Sequence, residues 1–282
     1  MIETIRVVHK NVGIDFRYLL SQKKTYMILA IILIFGWWHT ADFLRASMET
    51  GIRTAPWIFQ EYFGDPTMLM LYGFLTVMVF ADIPYHNSMS QMIEIRTGRR
   101  NWIIGQMIYT VELAFFYTLV FALSSFLFLL PRIYFTTGWG EFLTRVADGR
   151  VEGLSRVTSQ MVENYSPVRA VLITFLCVWG VSVFMGMLIF VLRMFISHSV
   201  AVAVAGFLAF FSYFVISMGA MVFGNFLYKV SPLNWLCLYY IDPAFGYSGV
   251  PGLRYVGIFL VAGSVLSAAA GCAWYLRGHE IR

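Results

Sequence analysis

An all-α, polytopic membrane protein of six transmembrane helices is the fold class this sequence predicts, on three observations. Of its 282 residues 59% are hydrophobic and only 12% charged, about half the charged share of an ordinary soluble domain. The apolar residues gather in runs of the length, about 20 residues, that a helix needs to cross a hydrocarbon core. Of the charged residues only Asp42, Asp82, Glu112 and Arg193 fall inside those runs. The same balance argues against disorder, soluble enzymes and nucleic-acid-binding domains, so the formal charge of +5 is read as setting orientation in a bilayer.

The chain begins with an amphipathic stretch, residues 1–24. Ile2, Ile5, Val8, Val12, Phe16 and Leu19 recur at spacings of three and four, which is one helical face. Glu3, Arg6, Lys10 and Arg17 fall largely elsewhere. A basic helix of this kind either lies in the headgroup plane of the cytoplasmic leaflet or packs on the protein's own cytoplasmic surface. It lacks the layout of a cleavable secretory signal and is expected to stay in the mature protein.

Six spans follow, at about 25–44, 67–84, 102–130, 170–195, 199–222 and 255–276. Lipid offers no partner to a bare backbone, so each is a helix, and an even number places both termini on one side. That side carries eleven Lys and Arg against nine on the other, and five of the nine sit in the single loop 131–169 among acidic residues. Both termini are therefore expected in the cytoplasm, and the chain in the cell membrane. The third span is long for a bilayer and must tilt, kink or project; Pro131 is expected to close it.

Between the second and third spans, Pro84 ends one helix and Asn87 or Ser88 can cap the next. Met89, Met92, Ile93 and Arg96 then share a face until Gly98, with Arg99 and Arg100 beyond. This predicts a short cytoplasmic helix within 85–98, suited to a partner's groove or serving as an interfacial turn whose arginines set topology. The loop 131–169 repeats an amphipathic pattern (Phe142, Leu143, Val146, then Val151, Leu154, Val157, Met161), which fits helices lying on the outer leaflet with Trp139 as an interface anchor. The link before the sixth span is aromatic and apolar yet broken by Pro232, Pro243 and Pro251. A re-entrant or interfacial helical hairpin fits it.

No GxxxxGK[ST], HExxH or paired-cysteine pattern occurs, so no catalytic residue, metal site or ATP hydrolysis is assigned to this chain. Cys177, Cys237 and Cys272 lie far apart in apolar surroundings and are read as packing residues. His39 and Asp42 are close enough along a helix to hydrogen-bond. Glu112, well inside the third span, either lines a substrate or ion path or makes an interhelical contact, with Tyr109 or Tyr117 supplying a hydroxyl.

This layout resembles the permease subunit of a type-2 (type V) ATP-binding-cassette exporter. The shared features are an amphipathic start, six spans, an Arg-tailed cytoplasmic helix and a broken aromatic hairpin; the closest local matches are IEIRTGRRNW entering span three and SPLNW before span six. The resemblance implies a coupling helix at 85–98 seated in a separate ATPase, with Met89, Met92, Ile93, Arg96, Arg99 and Arg100 at or near the contact. It implies a connecting helix at the N-terminus, bearing Ile5, Val8, Val12 and Phe16, and an assembly of two permease subunits with two ATPases. ATP and Mg then belong to the partner, and the cargo is amphipathic or hydrophobic: a peptide, lipid or drug-like molecule. The loop 131–169 is larger than in compact members. A non-transporting accessory or immunity subunit, or an intramembrane enzyme, are the alternative classes.

Overall fold

The computed structural model describes residues 2–85, 88–151, 154, 157–246 and 248–277, with the side chains of residues 2–5, 88 and 89 outside the description. Its helices are α1 (Ile2–Ser21), α2 (Lys23–Glu49), α3 (Pro66–Phe80), α4 (Ser88–Thr97), α5 (Arg99–Leu127), α6 (Gly140–Ala147), α7 (Ser159–Asn164), α8 (Pro167–Phe195), α9 (His198–Phe214), α10 (Ala220–Phe223), α11 (Leu227–Val230) and α12 (Leu253–Leu276). No strand occurs among the described residues.

Five of these are long and apolar enough to cross a membrane: α2, α5, α8, the run His198–Phe223 and α12. The run joins α9 to α10 through a π-helical turn, Val215–Gly219. The second expected span is shorter than its apolar stretch. α3 has 15 residues, about 22 Å at 1.5 Å per residue, and stops at Phe80. The ring of Pro84 would collide with the carbonyl four residues back, which is that of Phe80. Pro131 acts the same way on α5, which ends four residues before it at Leu127.

Where lipid supplies no hydrophobic drive between helices, small residues and buried hydrogen bonds hold them together. A Cβ on Gly73 of α3 would stand 2.7 Å from that of Ala209 on α9, and one on Gly186 of α8 would stand 2.8 Å from both Phe80 and Thr110. The Tyr72 and Ser182 hydroxyls hydrogen-bond at 2.6 Å between α3 and α8. Arg193, near the end of α8, donates to the Ala81 carbonyl at 3.3 Å and so caps α3.

At the end far from α1 and α4, the structure differs from the outer-leaflet expectation. Phe142, Leu143, Val146, Leu154, Val157 and Met161 are buried in the protein. Trp139 is buried too and donates its indole N–H to the Tyr165 carbonyl at 2.8 Å. An amphipathic face does not reveal whether lipid or protein will cover it, and here protein does. The stretch after Gly224 turns back inward as short helical turns, with Leu233, Trp235, Leu236 and Cys237 buried among α3, α8 and α9. Tyr165 hydrogen-bonds Asp242 and stacks on Phe245, tying the 131–166 segment to this hairpin.

Candidate functional site

α1 does not lie free on a surface: its apolar face is buried against α5. Val8 and Val12 are buried, and Phe16 meets Tyr109 and Phe116 edge-on at 5.0 and 5.5 Å. Gly105 lies against Asn11 of α1, where a Cβ would make ordinary contact with the Asn11 Cβ at 3.4 Å. Ile5, expected on the same face, has its side chain outside the described residues.

A second device docks α1. The Gln106 side-chain amide of α5 donates to Asp15 at 2.7 Å, and its oxygen accepts the Tyr85 backbone N–H at 3.1 Å. One amide thus joins α1, the segment leading to α4, and α5. The Tyr85 hydroxyl continues the chain to that of Tyr109 at 3.0 Å. Burial pushes the Asp15 carboxyl up to about 7, and the bond from Gln106 lowers it only in part.

That shift sets a sign for pH. Between about 3.8 and 7 the folded protein holds a proton that the unfolded chain has released, so stability is greatest below this window and falls as pH rises through it. Thermal unfolding in detergent is expected to show a higher midpoint at pH 5 than at pH 8, and Asp15→Asn to flatten the difference. Gln106→Leu leaves both the Tyr85 N–H and Asp15 without their partner, at about 1–3 kcal/mol for each buried group. Faster proteolysis of α1 is its expected readout.

Between α1, α2, α5 and the end of α3 lies a cavity of about 590 Å³, within the range of small-molecule sites. Its walls are almost wholly apolar, with Ile28 and Ile32 from α2 facing Phe116 and Val120 from α5. Among the described residues, Lys24, Asp82 and Glu112 are the Lys, Arg, Asp and Glu in its lining, which also includes His9. Lys24 and Asp82 pair at 2.6 Å, joining the start of α2 to the end of α3. Among the described residues Glu112 has no hydrogen bond or ion pair. The two hydroxyls that could have met it are engaged elsewhere, Tyr109 with Tyr85 and Tyr117 with the Tyr72 carbonyl at 3.5 Å.

Val12, Phe16 and Glu112 thus come together in one cavity, whereas the α4 residues lie apart from it. On α4 the outward side chains are Met92, 62% exposed, and Ile95, 83% exposed. Arg96 and Arg100 are exposed as well. Ile93, expected on the outward face, instead turns toward the protein and packs on the core. Arg99 is exposed too, and it pairs with Glu94 at 3.2 Å and lies over the Tyr275 ring. Asn87 and the side chain of Met89 lie outside the described residues.

The other sequence candidates lie in the packed interior or at its edge. The buried His39 ring stacks on Tyr62 at 4.0 Å; Cys177 and Cys237 are buried free thiols, and Cys272 is a partly buried one. No group of three or more His, Cys, Asp or Glu able to hold a metal occurs among the described residues. Asp15, Gln106, Ile95 and the Lys24–Asp82 pair were not singled out by the sequence reading. Comparison with protein-family models, curated proteins and solved structures returns no match.

Proposed function

We propose that this chain is the membrane-spanning subunit of an ATP-binding-cassette exporter, moving an amphipathic or hydrophobic cargo by alternating access. The observation that carries the reading is α4, a ten-residue helix between two apolar helices that holds Met92 and Ile95 out, flanked by exposed Arg96 and Arg100. Large apolar side chains on a short helix outside the apolar spans fit a protein groove, and the arginines around them suit an acidic rim. In this reading α4 is the coupling helix and α1 the connecting helix, with both termini in the cytoplasm and the apolar helices in the cell membrane. ATP and Mg are bound by two partner ATPases, and a second permease subunit, identical or related, completes the complex.

The test is co-expression with any ATPase found encoded beside this chain, followed by purification through a tag on the permease. A stable complex whose ATP hydrolysis depends on both subunits is the expected result. If no ATPase is encoded nearby and none co-purifies, the accessory-subunit reading replaces this one.

A further inference from the structure

The exporter reading leaves the class of molecule that fits the cavity beside α1 unassigned. We propose that this cavity is a binding site for a single-chain amphiphile with an ammonium head. Its apolar walls suit an alkyl chain, and its charges decide the head. Among the described residues, Lys24 is the lysine or arginine in the lining, beside His9, and is already paired with Asp82 at 2.6 Å, while Glu112 has no partner. An anionic head would therefore meet an unpaired carboxyl and a lysine already engaged.

A purely hydrocarbon guest would cover Glu112 without pairing it, at the cost of burying a lone polar group. An ammonium head both pairs the carboxyl and finds aromatic faces in the same lining. Phe16 and Phe116 meet there at 5.5 Å, nearly perpendicular, and Tyr117 stands one residue further along α5. A carboxyl beside aromatic rings is the chemistry that recognises organic cations, through ion pairing and attraction to the ring faces.

The experiment uses the full chain alone in nonionic maltoside micelles, without any ATPase, so its outcome is separate from that of the exporter reading. Dodecyltrimethylammonium, dodecanol and dodecyl sulfate share one tail and differ in head. The ammonium probe is expected to bind the unaltered protein about tenfold more tightly than either of the others. Glu112→Gln is expected to erase that advantage while leaving dodecanol binding unchanged, and Glu112→Asp to keep most of it. Phe116→Ala is expected to weaken all three.

Equal affinity for dodecyl sulfate and the ammonium probe in the unaltered protein overturns the proposal, and that comparison requires no variant to fold. An unchanged ammonium affinity in Glu112→Gln overturns it as well. Phosphatidylethanolamine carries its ammonium beside an anionic phosphate and on two chains; it is expected not to displace the probe, and displacement overturns the single-chain, cationic assignment.

Discussion

Replacing Met92 and Ile95 of α4 together by aspartate is expected to abolish co-purification of the proposed partner ATPase while leaving this chain folded. Both side chains are largely exposed, so the isolated chain loses little when they change. Covered by a partner, two such side chains contribute about 3–6 kcal/mol by apolar burial, and a carboxylate in their place must be desolvated without a counter-charge. The expected loss is therefore about a hundredfold or more in affinity. Comparing tag-purified complexes, with thermal unfolding of the permease as the control, checks it. Retention of the complex and its full ATPase activity would remove α4 as the coupling helix.

Gly73→Val is expected to have the largest effect on the fold itself. The new Cβ would begin 2.7 Å from the Ala209 Cβ and 3.3 Å from its Cα. Ala209 is fully buried and has no flexible end to move aside, so α3 and α9 must separate as bodies. Overpacking of a tight core costs about 1–3 kcal/mol, and the rigid neighbour places this case at the upper end. Separation of these helices also moves α3 relative to Leu233 of the returning hairpin, 3.1 Å from the same Cβ position. A lowered thermal midpoint and poor recovery from detergent extraction are the expected readouts. Gly13→Ala, where a Cβ meets nothing within 4 Å, is the control for a glycine substitution in a helix and is expected to leave the midpoint unchanged or slightly raised.

The long apolar helices are legible in the sequence because hydrocarbon imposes a length and forbids charge, and both leave marks readable residue by residue. Glu112 stands out for the same reason. What the sequence hides is which protein surface meets which. The apolar faces at Phe142 and Met161 read equally as lipid-covered or protein-covered, and the structure buries them. Ile95 does not stand out in the sequence because Met92, Ile93 and Arg96 also form a helical stripe, yet Ile93 is the residue that α4 turns inward.

Asp15 escaped notice because a carboxylate on an amphipathic helix reads as solvent-facing. A signal was nonetheless present: Asp15 lies three residues after Val12 and four before Leu19, on the apolar face and not opposite it. Its partner Gln106 is an uncharged residue in an apolar run, and no periodicity marks it.

Gln106 also gives the molecule a mechanical property. Tyr85, whose N–H it accepts, lines the cavity and stands just before α4 in the chain, and Asp15, to which it donates, belongs to α1, which lines the same cavity through Val12 and Phe16. The α4 end is joined to α1 a second time, since Asn11 donates to Thr97 at 3.4 Å. The chain on both sides of α4 is therefore hydrogen-bonded to α1 or α5 beside the cavity, so a displacement of the short helix would load bonds at the edge of a chamber it does not itself line.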